Sequence, residues 1–65
     1  MPSSVIRAFD YDPQAQTLKV TFVTGRCYAY LDVPEKVADA LRAASSKGEY
    51  FNRAIRDHFR FERLR

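Results

Sequence analysis

The most regular alternation of apolar and polar residues lies in residues 17–23. A period of two places alternate side chains on opposite faces of an extended chain, so this segment predicts a half-buried β-strand. Its apolar and polar faces are Leu18, Val20 and Phe22 on one side, and Lys19 and Thr21 on the other.

Two further strands are predicted beside this one. Residues 5–11 mix β-branched and aromatic side chains, which is typical of a strand, and Asp12-Pro13 then favours a turn. Thr24-Gly25 predicts a tight hairpin, because glycine readily adopts the positive φ that hairpin turns need. Residues 27–31 form the predicted third strand.

The apolar period changes to a helical one after the third strand. Pro34 followed by Glu35 is typical of a helix start, and a first helix is predicted over residues 34–44. Ser46 and Glu49 have capping-box spacing, which predicts the start of a second helix. The apolar residues at helical spacing are Val37, Ala40, Leu41 and Ala44 in the first helix, and Phe51, Ala54 and Ile55 in the second.

We therefore predict an α+β fold, in which a three-stranded antiparallel meander is followed by two helices packed on one face (β-β-β-α-α). Residues 1–65 should form a single domain. The course of the chain after His58 stays open, because residues 59–61 fit either a longer second helix or an extended run along the sheet. A chain of 65 residues is near the lower limit for folding on a hydrophobic core, so its aromatic residues are first expected to be buried.

Cysteine use and hydropathy favour a cytoplasmic location. Cys27 is the single cysteine, so an internal disulfide is impossible, whereas small secreted domains usually need several. Residues 1–4 lack the basic start and apolar run of a signal peptide. The apolar runs are too short to span a bilayer, and we expect no membrane association.

Residue types that support catalysis are scarce in this chain. Cys27 and His58 are the candidates for a thiol–imidazole pair, but each fits a structural position better. Gly25 and Gly48 cannot form a glycine-rich phosphate loop. We therefore expect no enzymatic activity, no cofactor, no metal and no small-molecule substrate.

The net charge of +3 is concentrated at the C-terminal end. Residues 1–52 contain six basic and six acidic side chains, whereas residues 53–65 contain five arginines against two acidic residues. A longer second helix would align four of the arginines in one stripe able to follow a phosphate backbone. These are Arg53, Arg56, Arg60 and Arg63. A helix ending near His58 would leave only the first two on one face, and a basic helix end also complements the helix dipole.

Tyr28 and Tyr30 must share one face of the third strand, and the hairpin loop decides which. A two-residue loop, Thr24-Gly25, exposes both rings on the polar face, where unpaired bases could stack on them. A three-residue loop over residues 24–26 buries them, as the need for an aromatic core favours. The exposed register pairs them with Thr21 and Lys19, and the buried register with Phe22 and Val20.

An ordered set of residues along nearly the whole chain resembles the KTSC domain, a small family named for the C-terminus of certain lysyl-tRNA synthetases. The set is Ser3-Ser4, Ile6, Tyr11-Asp12, Leu18, Val20, Phe22, Gly25, Tyr28-x-Tyr30, Val33-Pro34, Val37, Leu41, Ala44, Ser46-Lys47-Gly48, Tyr50-Phe51-Asn52 and Ile55-Arg56. The family also includes stand-alone bacterial proteins. The resemblance implies a bacterial setting, a hallmark Tyr-x-Tyr met by Tyr28 and Tyr30, and RNA binding as the usual functional suggestion.

Together these features predict a small non-catalytic binding module whose leading partner is RNA, as tRNA or as a single strand. The tyrosines would stack bases, and the basic side chains would contact phosphates. The candidate RNA-binding residues are Tyr28, Tyr30, Lys19, Arg26, Lys47, Asn52, Arg53, Arg56 and Arg60. The alternative is a protein–protein interaction or self-association module, which would use a sheet edge or an uncovered aromatic patch.

Overall fold

The computed structural model describes residues 6–65. Three of our sequence inferences therefore fall at least partly outside the described residues: Val5 in the first strand, Ser3-Ser4 in the family resemblance, and the signal-peptide test on residues 1–4. The elements are β1 (Ile6–Asp12), β2 (Thr17–Phe22), β3 (Cys27–Tyr30), α1 (Glu35–Ala43), α2 (Lys47–Ala54) and β4 (Phe61–Arg63). The predicted α+β class is confirmed, with a fourth strand added after the helices.

The four strands form one antiparallel sheet in the order β1-β2-β3-β4. The turn after β1 is held by Asp12, whose Oδ1 accepts hydrogen bonds from Gln14 N at 3.0 Å and Ala15 N at 3.3 Å. This arrangement is an Asx turn, which the aspartate–proline pair favours.

The β2–β3 hairpin turns through a three-residue loop, residues 23–25. Phe22 N donates to Arg26 O at 2.9 Å, and Gly25 N donates to Phe22 O at 2.9 Å. Gly25 has a φ of 97°, and the third residue of such a loop commonly needs this left-handed conformation. Because Gly25 occupies that third position, the loop begins one residue earlier than either loop considered from the sequence.

The position of this loop sets the register of the two tyrosines. Tyr28 pairs with Val20 and Tyr30 pairs with Leu18, so both predicted sets of cross-strand partners are wrong. The face is nevertheless that of the three-residue alternative, since directly opposite residues point to the same side of a sheet. Both tyrosines therefore lie on the apolar face beneath the helices.

Helices α1 and α2 cover this apolar face and complete the core. The helix predicted to begin after Ser46 is confirmed, because Ser46 Oγ accepts a hydrogen bond from Glu49 N at 3.3 Å. The Tyr11 hydroxyl donates to Val33 O, which ties β1 to the segment before α1. The core cluster consists of Leu18, Val20, Tyr30, Val33, Leu41, Phe51 and Ile55.

The chain leaves α2 after Ala54 and returns to the sheet as β4. Leu31 N donates to Arg60 O at 2.8 Å, and Leu64 N donates to Cys27 O at 2.7 Å. These bonds pair backbone groups along the β3 edge that a three-stranded sheet would leave exposed. The extended course that we considered for the chain end is confirmed, and the continued helix is wrong.

The opposite face of the sheet, which we term the outer sheet face, carries polar and small side chains. Asp10, Lys19, Ala29 and Glu62 lie directly opposite one another in a row across the four strands. This row contains two carboxylates and one ammonium, so it is not a positively charged surface. Within residues 6–65, no helix has the length and apolar content of a membrane span.

Candidate nucleic-acid interface

Five aromatic rings from β2, β3, α2 and β4 pack against one another, and we term them the aromatic cluster: Phe22, Tyr28, Tyr30, Phe51 and Phe61. The ring centroid of Phe61 lies 5.4 Å from the ring centroid of Tyr28 and 5.4 Å from that of Tyr30. The Phe61 and Tyr28 rings are stacked, with 28° between their planes. Tyr30 meets Phe51 edge to face at 5.3 Å, so the contacts run without a break from β4 into the core.

Exposure rises steeply across this cluster. Phe51 and Tyr30 are 1% and 2% exposed, Tyr28 is half-buried, and Phe61 is 52% exposed. Tyr30 is therefore a core residue whose ring has no face left for a base. Tyr28 and Phe61 form the accessible end of the cluster, and accessible aromatic rings are the side chains on which unpaired bases stack.

Burial raises the pKa of the Tyr30 hydroxyl to about 12, and the neighbouring Tyr28 raises it further. Arg56 lowers this pKa and Asp57 raises it, both through their charges. Tyr30 is thus neutral at physiological pH.

Arginines occur in the hairpin, just after α2 and at the C-terminal strand, and we term Arg26, Arg56, Arg63 and Arg65 the arginine edge. Arg63 lies directly opposite Tyr28 on the neighbouring strand. Its Nε donates to Arg65 O at 3.3 Å, which restrains the guanidinium with one of its five donors. The hairpin joins this edge through its backbone, because Cys27 N, next to Arg26, donates to Arg65 O at 3.4 Å.

Two of the predicted binding residues lie on α2, and one of them, Asn52, contacts a member of this edge. Asn52 Oδ1 accepts a hydrogen bond from Arg56 Nη1 at 3.5 Å, so these two side chains interact across one helical turn. Arg53 is exposed on the same helix, and its carbonyl oxygen lies 3.0 Å from His58 Nε2.

The structure separates the remaining predicted residues from the arginine edge. Lys19 is on the outer sheet face, where its cross-strand partners are Asp10 and Ala29, so it cannot join the tyrosines in one surface. Lys47 begins α2 at the end away from Arg56, and its Nζ donates to Ala44 O at 3.3 Å. Arg60 precedes β4 and does not continue a helical arginine stripe, because α2 has already ended.

Phe61, Arg63 and Arg65 are the three residues of this surface that were not among the binding residues predicted from the sequence, and the first two lie on β4. Their spacing of two is the period of a strand, which puts both on the same face as Tyr28 and Tyr30. A three-residue strand gives too short a pattern to distinguish from the end of an arginine-rich helix. Their role emerges only from the pairing of β4 with β3.

Cys27 and His58, the residues considered for a thiol–imidazole pair, make other contacts. Cys27 Sγ lies 3.5 Å from Thr21 Oγ1, and His58 Nε2 lies 3.0 Å from the Arg53 carbonyl oxygen. The observed surface therefore offers rings and guanidinium groups, which suit ligand binding.

The fold and this surface define a small α+β domain with an aromatic cluster bordered by arginines. The KTSC domain family model matches residues 2–59, and the chain belongs to this family. It is similar over its whole length to the crystal structure of a KTSC domain protein from Yersinia pestis, with a TM-score of 0.87, 32% identity and coverage of 94% of that chain.

Two kinds of related sequence share this domain. Lysine–tRNA ligase of Nostoc punctiforme is 44% identical over 61 residues, which are 94% of this chain and 11% of the ligase. An uncharacterized protein of Stutzerimonas stutzeri is 40% identical over 65 residues, covering 98% of this chain and 92% of that protein. The chain thus spans only about a tenth of the ligases it matches, but nearly all of this second relative.

Proposed function

We propose that this domain binds RNA at the arginine edge and the accessible rings of Tyr28 and Phe61. The observation that carries the proposal is the stacked Tyr28–Phe61 pair with Arg63 directly opposite Tyr28. Aromatic stacking and cationic contacts to phosphate are the two interactions by which proteins bind unpaired nucleic acid.

The distribution of charge supports this location for the site. The outer sheet face has Asp10 and Glu62 on either side of Lys19 in its central row, and carboxylates there repel phosphate. The arginine edge, by contrast, has Arg63 directly opposite Tyr28, and Arg65 is held by its backbone to Cys27, next to Arg26. In this proposal Tyr30 supports Phe61 from below, while Tyr28 and Phe61 meet the ligand.

The larger proteins that contain a segment similar to this chain also support an RNA partner. Lysine–tRNA ligases act with a tRNA by name, and a segment 44% identical to this chain forms part of one of them. We propose that the segment contributes a nucleic-acid contact there, and that this chain makes the same kind of contact.

The test is to titrate the isotope-labelled domain with tRNA and with a short single-stranded RNA, following amide shifts at near-physiological salt. Saturable shifts should centre on residues 26–30 and 56–65. The double change Arg56→Gln and Arg63→Gln should weaken binding about tenfold, equivalent to about 1.4 kcal/mol, which is near the lower end of what hydrogen bonds to charged groups contribute.

The matched control is the double change Lys36→Gln and Arg42→Gln, which removes two exposed charges from α1. Arg42 forms an exposed ion pair with Asp39 at 2.7 Å, away from the aromatic cluster, and pairs of this kind add little stability. The affinity of this double variant for RNA should stay close to wild type. Equal weakening by this control would mean that binding is non-specific attraction to net charge, and the absence of shifts with either RNA would overturn the proposal.

A second candidate is a protein-binding surface at β4, because Phe61 and Leu64 are each 52% exposed. This function predicts no RNA-induced shifts but association that depends on these two side chains. Sedimentation at several concentrations tests the homodimer version, in which Phe61→Ser and Leu64→Ser would increase the monomer fraction.

A further inference from the structure

The geometry points to one unpaired nucleotide as the ligand of this site: a single base from a strand end, bulge or loop of RNA, stacked on the exposed ring face of Phe61. This inference rests on the proposed RNA-binding function and specifies the class of RNA that the site takes. A fully paired duplex is the excluded alternative.

The count of one base comes from the exposure of the rings. Among residues 6–65 the exposed large apolar side chains are Val23, Phe61 and Leu64, of which only Phe61 is aromatic. Tyr28 and Tyr30 occupy one side of the Phe61 ring, with centroids at 5.4 Å. Phe61 as a residue is 52% exposed, and we infer that the ring face turned away from the two tyrosines is open and can take one base.

The rings beneath Phe61 hold it in position before any ligand arrives. Phe51 and Tyr30 are both almost completely buried and meet edge to face, so the inner rings of the cluster are part of the hydrophobic core. Backbone hydrogen bonds on either side of β4, at Arg60 and Leu64, restrain the strand that carries the ring. Little side-chain freedom is then lost on stacking, and such preorganisation favours binding.

Phosphate contacts fit on the same side of the strand. Arg63 follows Phe61 by two residues and therefore projects from the same face, about 7 Å further along the strand. Arg63 also lies directly opposite Tyr28 on the neighbouring strand. A base on Phe61 would thus place a neighbouring phosphate within reach of the Arg63 guanidinium.

A paired duplex cannot use this arrangement without being opened. Each base inside a duplex is already stacked on both faces, so a protein ring can reach a base face only at an end or at an unpaired, extruded nucleotide. The arginines alone could hold duplex phosphates, but the stacking contribution would be absent.

The experiment uses two blunt-ended RNA hairpins that differ by one bulged nucleotide, and the same non-nucleotide linker replaces the loop of both, so that no other unpaired base is present. The bulged residue is 2-aminopurine, whose fluorescence falls on stacking, and the comparison hairpin is fully paired with 2-aminopurine in the stem. We expect the intact domain to quench the bulged base and to bind that hairpin about 5- to 150-fold more tightly, the range that one base–aromatic stack gives.

Two substitutions of Phe61 isolate the stack. Phe61→Leu keeps an apolar strand residue and should abolish the preference for the bulge, with slow amide exchange of Leu31 and Leu64 showing that β4 is still docked. Phe61→Trp should keep the preference, and its indole would be the only tryptophan in the chain and should be quenched on binding. Val23→Ala, which alters another exposed apolar residue, should bind as wild type does.

Failure of this inference can be told apart from failure of the proposed function. Equal affinity for both hairpins at near-physiological salt would overturn the one-base inference while leaving RNA binding in place. Binding of neither hairpin, nor of tRNA, would overturn both. A bulge preference that survives Phe61→Leu with β4 docked would assign the stack to another ring and so contradict the inference.

Discussion

Tyr30 shows why a tyrosine pair on a strand need not form a binding surface. Its ring is 2% exposed and lies between Phe51 of α2 and Phe61 of β4, so it fills the centre of the small core. Tyr28, on the same face but nearer the hairpin, keeps an accessible side. The two members of the Tyr-x-Tyr pair therefore have different roles, core packing for one and ligand contact for the other in our proposal.

Tyr30→Ala should destabilise the domain severely. Truncating a large buried aromatic typically lowers the free energy of unfolding by about 3–5 kcal/mol, and a 65-residue domain has little more than that to lose. Tyr28→Ala should cost less because Tyr28 is only half-buried. Urea denaturation followed by circular dichroism gives both values, and a well-folded Tyr30→Ala variant would contradict the core assignment.

At individual positions, sequence reasoning favoured the correct sheet face for Tyr28 and Tyr30 but gave the wrong cross-strand partners on β2. The requirement for an aromatic core in so short a chain favoured burial, and the structure confirms it for Tyr30. The placement of Lys19 beside the tyrosines failed, because one residue of register moves a lysine to the opposite side of the sheet.

The hairpin between β2 and β3 owes its register to a single glycine. Gly25 has a φ of 97°, and no heavy atom outside its neighbours lies within 4 Å of a Cβ built at this position. The glycine is therefore required by backbone conformation and not by crowding. Thr24-Gly25 was recognisable as a turn in the sequence, but the number of loop residues was not, because glycine suits the last position of a two-residue or a three-residue loop.

Gly25→Ala should lower the free energy of unfolding by about 1–2 kcal/mol, the usual cost of placing a Cβ in the left-handed region. The cross-strand contact between Tyr28 and Val20 should survive if the register is kept. Chemical denaturation measures the loss, and amide-to-amide contacts across the hairpin report the register. An unchanged stability would show that the loop can adopt another conformation at no cost.

The end of the chain was the least predictable element, for a physical reason. Phe59, Arg60 and Phe61 suit a helix or a strand equally well when taken alone, and β4 is only three residues long. What selects the strand is the unpaired edge of β3, a partner about thirty residues earlier in the chain. The local residue pattern carries no information about pairing between strands so far apart in the sequence, so the surface formed by Phe61 and Arg63 could not be predicted. The start of α2 could be predicted, because its cap, Ser46, is adjacent in the sequence.

The whole domain separates its charges between two sides. Asp10 and Glu62 lie on the outer sheet face, whereas Arg63 lies opposite Tyr28 on the other face and Arg65 is held by its backbone beside the hairpin that carries Arg26. A net charge of +3 understates this asymmetry, because a ligand at the arginine edge meets mainly positive charge. The salt dependence of binding should therefore reflect the number of arginines that contact phosphate.

For a single-stranded RNA, the logarithm of the association constant should fall with the logarithm of salt concentration by about 0.7 for each phosphate contacted. Two to four contacts at the arginine edge predict a slope between about −1.4 and −2.8. Arg63→Gln should make the slope shallower by about 0.7, because one contact is lost. Arg42→Gln, on α1, should leave the slope unchanged.

Fluorescence anisotropy at four salt concentrations measures the slopes of the wild type and of both variants. A slope that Arg63→Gln does not alter would place the phosphate contacts elsewhere on the domain, whereas a slope near zero would leave stacking as the sole interaction.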